Sequence, residues 1–286
     1  MQCGIYLFAT EYCVDIALLA QQAEDLGFDS LWVPEHPIIP VQYASRVWIF
    51  PDGILPDWFA GVYDKLVDPF VALARASAVT RTLKLGTGIC LVPERNPLLL
   101  AKEIATLDHY SGGRFLFGIG AGWNKEETAI MGGDPTHPWG QTREAVRAMQ
   151  ALWTKEEAEF HGQYYDFPLV RSFPKPTQQP HPPIFFGDLT GSAVFRRIVA
   201  WGNGWLPFGI SPAQVKRGRE ALHHLATEAG RDPRTIQIRV LGVPPDAETL
   251  KAYEQAGADA VACLMLPAPE KEALAQLEQI AQKVFP

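Results

Sequence analysis

The sequence lacks most of the features that announce a function class. It has four cysteines, Cys3, Cys13, Cys90 and Cys263, and none is spaced as one of a pair. That argues against a disulfide framework or a redox or metal motif; three of the four fall in predicted strands, as buried reduced thiols do. No apolar run is long enough to cross a bilayer. The segment Met1–Phe8 has neither the basic start nor the apolar stretch of a signal peptide. It reads as a first strand, and a cytoplasmic protein is expected. There is no basic excess: the 286 residues carry a formal charge of −7. A broad nucleic-acid footprint is therefore not expected, although backbone amides and a few basic side chains can still hold a small anion. No solenoid-length repeat occurs. What remains is a globular composition, 47% hydrophobic and 20% charged, with no bias toward disorder.

Short apolar strands alternate with amphipathic helices. Strands are predicted near 2–8, 29–33, 83–90, 114–119, 183–187, 204–208, 235–242 and 259–265. Helices are predicted near 14–26, 68–80, 97–111, 139–153, 191–201, 211–229, 245–256 and 269–283. Ile16, Leu19, Ala20, Ala23 and Leu26 form one helical stripe, whereas Ile236, Ile238 and Val240 alternate with polar residues as a strand does. Asp68-Pro69, Asn96-Pro97 and Ser211-Pro212 each place a capping side chain before a proline at the first helical position. Eight strand–helix pairs in order predict a closed (β/α)8 TIM barrel, one domain over 1–286. The runner-up is an open doubly wound sheet. That fold would carry its glycine fingerprint after the first strand, where Phe8-Ala9-Thr10-Glu11 has none.

Two insertions interrupt the pattern. Residues 37–66 follow the second strand and are rich in proline and aromatics (Trp48, Phe50, Trp58, Phe59, Tyr63). Their two readings are a cover over the barrel mouth and an oligomer contact. Residues 157–183 precede the fifth strand, with a hairpin around Phe160–Phe167 and a proline-rich connector.

The most informative stretch is Lys84–Glu127, a β-α-β unit ending in Gly118-Ile119-Gly120-Ala121-Gly122-Trp123-Asn124 at the start of a new helix. Glycine allows close backbone approach there, and helix-start amides favour an anion. The chain also carries Leu26-Gly27-Phe28-Asp29-Ser30-Leu31-Trp32-Val33-Pro34-Glu35-His36, Pro93-Glu94-Arg95-Asn96-Pro97, Thr106–Arg114, Pro182–Gly187 and Ala200–Pro207. In this order and spacing these segments resemble the luciferase-like monooxygenase superfamily nearly end to end. The resemblance is greatest to its branch dependent on coenzyme F420.

The resemblance implies a (β/α)8 barrel that binds F420, or alternatively FMN, at its C-terminal mouth. Such a protein moves hydride between the ring and a small organic substrate, and FMN members commonly go on to use oxygen. It also implies a possible homodimer, a cis peptide at Gly88-Ile89 supporting one ring face, and cofactor phosphate contacts after the fifth strand. A further alternative is a non-catalytic flavin- or deazaflavin-binding protein.

The catalytic candidates are His36, which can give or take a proton near neutral pH, and Glu35, which would orient it, contact the ring or pair with a local base. The cofactor-binding candidates are Gly88 and Ile89; Gly120, Ala121, Gly122 and Asn124; and Gly187, Thr190, Gly191 and Ser192. Asn124 could equally cap the next helix, and Trp123 could pack or stack. Asp188 interrupts the second anion-binding run with a charge that would repel phosphate if it pointed inward. Arg95 is read either as a cofactor or substrate contact or as a salt-bridge partner. The remaining histidines show no metal spacing; His223 and His224 adjoin on a helix and cannot share a face. A metal-dependent barrel hydrolase would want His-x-His after the first strand, where Thr10-Glu11-Tyr12 stands. A glycosidase would want two facing carboxylic acids at strand ends.

Overall fold

The computed structural model describes residues 1–46, 61–188 and 191–285. Trp48, Phe50, Trp58, Phe59 and Thr190 fall outside the described residues. The founding strand β1 (Gln2–Leu7) pairs in parallel with β2 (Ser30–Val33) on one side and with β11 (Ala260–Met265) on the other. From β2 the ring continues through β3 (Lys84–Thr87) to β5 (Phe115–Gly120), β8 (Ile184–Phe186), β9 (Gly204–Trp205) and β10 (Gln237–Val243), back to β11. Leu85 opposite Phe115 closes it, giving the (β/α)8 barrel that the alternation of elements predicts.

The predicted third strand, 83–90, is interrupted. After β3 the Gly88–Ile89 peptide is cis, and β4 (Cys90–Leu91) resumes pairing along β5.

The helices between the strands are α1 (Ile16–Asp25), α2 (Pro69–Ser77), α3 (Pro97–Ser111), α4 (Lys125–Ile130), α5 (Pro138–Thr154), α6 (Ser192–Trp201), α7 (Pro212–Glu228), α8 (Ala247–Gln255) and α9 (Glu270–Val284). Their starts follow the predicted chemistry. Asp68 accepts from Val71 N, Asn96 from Leu98 N and Leu99 N, and Ser211 forms a capping box with Gln214. The 157–183 insertion contains the antiparallel hairpin β6 (Ala158–His161) and β7 (Asp166–Val170). Among the described residues no helix is long and apolar enough to cross a membrane.

Two apolar shells follow from strand alternation. Cys3, Ile5 and Leu7 of β1 point outward into the layer between barrel and helices, while Tyr6 and then Phe8 point inward. Inside the barrel, Trp32 lies so close to Gly86 that a Cβ there would sit 2.2 Å from its ring. Arg239 is buried over Phe185, with its centre 5.5 Å from the ring, and bonds Gln2 and Gln237. Trp32, Phe185 and Arg239 thus fill the end of the barrel at which the strands begin, leaving the C-terminal rim as the open mouth.

Candidate active site

The mouth holds about 930 Å³ of empty space, counting the part open to solvent. Tyr6, Phe8, Tyr63, Leu206, Phe208 and Leu241 supply its apolar wall. His36, Glu35 and Trp123 line the same space.

β2 ends at Val33 and delivers Pro34, Glu35 and His36 to the rim. The His36 side chain is 5% exposed, with Nδ1 2.7 Å from Glu127 Oε2. On its other side the Trp123 indole N–H donates to His36 Nε2 at 3.1 Å. An indole only donates, so Nε2 must present its lone pair, and the ring proton lies on Nδ1, donated to Glu127. Burial drives the imidazole down to about 3, against the pull of Glu35, so it is neutral near pH 7. The Tyr63 ring packs 4.6 Å from the imidazole, centroid to centroid.

Glu35 turns to a different partner. Its Oε1 accepts from Arg95 Nε at 2.6 Å and its Oε2 from Leu91 N at 3.2 Å. The Arg95 guanidinium also bonds Asp68 and Glu103. Of the readings open from sequence, the geometry shows Glu35 paired with a local base, and Glu127 as the carboxylate bonded to His36. Arg95 is the base in question.

The glycine-rich candidates divide. Gly88, Ile89, Ala121, Gly122 and Gly187 line the mouth. At Gly120 and Gly187 the space of a missing side chain is filled by Ile89: a Cβ would lie 2.0 Å from its Cδ1 at Gly120 and 2.3 Å from its Cγ2 at Gly187. These two glycines thus seat the side chain that follows the cis peptide. Gly122 has φ +79°, a conformation that glycine adopts readily, and turns the chain into α4. Asn124 is fully buried and caps α4, its Oδ1 accepting from Glu127 N at 3.0 Å while its Nδ2 has no partner among the described residues. Gly191 directly precedes α6, where Ser192 Oγ accepts from Arg196 at 2.9 Å. The Asp188 carbonyl accepts from Trp205 Nε1 at 2.8 Å, and Arg197 stacks 4.7 Å over Trp139 at the edge of the mouth.

The sequence reading missed Glu127, which is buried and bonded to His36, and the buried Glu94, which bonds its neighbour Thr128. Their signal was hidden, because Glu127 reads as an ordinary acidic residue in a helix first turn and Glu94 as part of a loop. Among the described residues no cluster of His, Cys, Asp and Glu could hold a metal.

Comparison with known proteins agrees with this architecture. A protein of Mycobacterium tuberculosis without assigned function is 36% identical over 286 residues, covering 99% of both chains. The FMNH2-dependent dimethylsulfone monooxygenase of Pseudomonas putida is 36% identical over 166 residues, 54% of this chain and 44% of that one. The F420-dependent glucose-6-phosphate dehydrogenase of Kineococcus radiotolerans is 29% identical over 234 residues, 79% of this chain and 63% of the other. Among solved structures, a monooxygenase of Streptomyces bottropensis aligns with a TM-score of 0.76 at 21% identity, over 100% of this chain and 99% of that one. The F420-dependent tetrahydromethanopterin reductase of Methanopyrus kandleri aligns with a TM-score of 0.75 at 19% identity, over 100% and 98%. The luciferase-like monooxygenase family model matches residues 9–283. With the barrel and its mouth in place, that match across nearly the whole chain decides the matter: the chain belongs to the luciferase-like monooxygenase family, a family of oxidoreductases.

Proposed function

We propose that the protein is an F420-dependent oxidoreductase working as one barrel domain over 1–286, with His36 handling the proton that accompanies hydride transfer on a small organic substrate. The observation that carries this reading is the buried, neutral His36 at the mouth, fixed at Nδ1 by Glu127 and with its Nε2 lone pair turned to Trp123. Once substrate displaces the Trp123 N–H, this base takes the proton from a substrate hydroxyl or amine as the adjacent carbon is oxidised, and returns it in the reverse direction. Bound F420 would supply the hydride acceptor or donor.

The residues present fit a flat, phosphate-bearing cofactor. Ile89, seated by Gly120 and Gly187, offers an apolar surface beside Ala121 and Gly122, and the aromatic wall excludes water from the reacting atoms. Residues Gly187, Thr190, Gly191 and Ser192, with Arg196 and Arg197 on the helix that follows, are the proposed phosphate side. Glu35 serves by holding Arg95 and the rim rather than by touching the ring. The relative of Kineococcus radiotolerans, an F420-dependent dehydrogenase by name, supports the cofactor and the direction. The FMNH2-dependent relative of Pseudomonas putida supports FMN as the second reading. A homodimer is the proposed working unit, to be measured by sedimentation.

The test is turnover with F420 and, separately, with FMN across a panel of secondary alcohols, enones, imines and quinones. Hydride transfer with F420 supports the reading. Oxygen consumption with FMNH2 and no reaction with F420 rejects it in favour of the second.

A further inference from the structure

Behind His36 lies a buried acidic pair to which the hydride-transfer reading assigns no task. Glu94 ends the 3-10 turn Val92–Glu94 and is 3% exposed; Glu127, in the first turn of α4, is fully buried. Thr128 Oγ1 lies 2.9 Å from Glu94 Oε1. The remaining oxygens, Glu94 Oε2 and Glu127 Oε1, are buried and meet no N–H or hydroxyl donor among the described residues. Thr128, which Glu94 touches, is the neighbour of Glu127 in the chain, so the two carboxyls stand close enough for the charge on Glu127 to raise Glu94. Two neighbouring buried carboxyls whose free oxygens meet no donor do not both ionise, so the pair carries a proton.

The surroundings decide which carboxyl carries the charge. Glu127 accepts the N–H of His36 Nδ1 at 2.7 Å, whereas the Thr128 hydroxyl beside Glu94 also reaches the Asn124 carbonyl at 3.1 Å and can give its single proton there. A committed N–H donor favours the ionised form, so the negative charge rests on Glu127 and the proton on Glu94.

We propose that Glu94 and Glu127 hold one shared proton and serve His36 as a proton relay, a role that rests on His36 being the acid–base group of the hydride-transfer reaction. When substrate displaces the Trp123 indole from Nε2 and gives its proton there, the Nδ1 proton passes to Glu127 Oε2. The pair then holds two protons, and the imidazole is neutral again with its proton on Nε2. The reverse sequence delivers one proton outward. No electrons move in these steps, and every proton is accounted for. Glu94 touches neither substrate nor cofactor in this scheme; it is a positioning residue that sets the charge on Glu127.

The other groups facing the pair leave it free to titrate. From the end of β2 come His36 and Glu35; from the 61–66 segment, Tyr63, whose hydroxyl is pushed upward by burial and by the Glu127 charge. Cys90 faces Glu35. Arg95, from the loop before α3, is bonded to Glu35, Asp68 and Glu103. On α4 itself Glu126 is drawn off to Ser45 and the Ala44 amide. Burial pushes both carboxyls up, Glu94 further through the charge on Glu127. The pair titrates as a unit.

The test compares the full-length wild type with Glu94→Gln, whose amide keeps the shape and donates permanently to Glu127 but carries no titrating proton. Infrared difference spectra should show a protonated-acid carbonyl band at pH 7 in the wild type that Glu94→Gln lacks. Nitrogen-15 spectra of labelled histidine should show His36 as the Nδ1–H tautomer. An identical acid band in both proteins, or an Nε2–H tautomer, overturns the proposal. Both spectra are taken without cofactor or substrate. They therefore judge the pair even if turnover with F420 and FMN fails, which would sink the hydride-transfer reading alone. With turnover in hand, Glu94→Gln should lower it about 10-fold, a part of the 10²–10⁴ that a positioned acid–base group supplies. It should also abolish the alkaline limb of the pH profile. A profile identical to wild type overturns the relay, and restoration of the limb by Glu94→Asp supports it.

Discussion

Replacing Arg95 by Met tests whether Glu35 is a buried anchor or a group facing the open mouth. The Glu35 side chain is 1% exposed and Arg95 16% exposed, and they meet at 2.6 Å. Without the guanidinium, Glu35 keeps the Leu91 amide at 3.2 Å and the facing Cys90 thiol, neither of them a cation. Removing one partner of a buried ion pair costs about 3–5 kcal/mol, because the other charge stays out of water. Asp68 and Glu103, at 40% and 31% exposed, recover hydration and add little to that loss.

The deficit should depend on pH. Burial already holds Glu35 above its ordinary value while Arg95 pulls it down, so the variant's carboxyl must rise further. The folded variant then retains a proton that the unfolded chain has released. Its penalty grows as pH climbs above the unfolded value, by at most about 1.4 kcal/mol per unit. At pH 5 the loss should shrink to about 1–2 kcal/mol, the cost of missing hydrogen bonds. At pH 8 it should reach the full figure. Urea midpoints followed by circular dichroism and by tryptophan fluorescence provide the measurement, with coincidence of the two probes establishing a single transition. Arg95→Met with Glu35→Gln should recover most of the loss, since a neutral amide needs no cation. A loss below about 1 kcal/mol at pH 8, or one equal at both pH values, would refute the reasoning.

His36→Ala should reduce turnover by about 10²–10⁴-fold while cofactor affinity changes little; parallel loss of both in a binding titration, or loss of neither, rejects its proton-transfer role. Gly118→Ala places a Cβ 2.0 Å from the backbone carbonyl of Thr87, whereas Gly120→Ala meets chiefly the Ile89 side chain, its Cδ1 at 2.0 Å and Cγ1 at 3.2 Å, which is softer than backbone. The first should lower the melting temperature sharply and the second mildly, within the about 1–3 kcal/mol of an overpacked site; the opposite order in a thermal scan contradicts the packing. Glu24 is drawn the other way: against burial, which would raise it, the amides of Thr82, Leu83 and Arg81 pull it from 4.5 down to about 2. Its contribution is present above pH 4.5 and is lost as pH falls through 2, so acid unfolding of Glu24→Gln should show a flatter limb across that window.

The fold was legible because local signals and tertiary structure agree. Asp68, Asn96 and Ser211 cap where their side chains and following prolines predict, and the inward and outward residues of β1 alternate as its sequence does. The site was legible only where one residue carries its own meaning, as His36 does at a strand end. The partners of His36 come from separate stretches: Trp123 from the β5–α4 turn and Glu127 from α4. No spacing rule links them, and only the closed barrel brings them together. The glycines misled in a related way. A missing side chain signals close approach but not what approaches, and at Gly120 and Gly187 the neighbour is Ile89.

The most direct test of the account is an equilibrium titration of the purified protein with F420 and with FMN under equal conditions, read by the absorbance and fluorescence of each cofactor. The account predicts saturable one-to-one binding of F420, with tighter affinity than FMN. Tight binding of FMN with none of F420 would contradict the cofactor assignment, and binding of neither would contradict the role given to the barrel mouth.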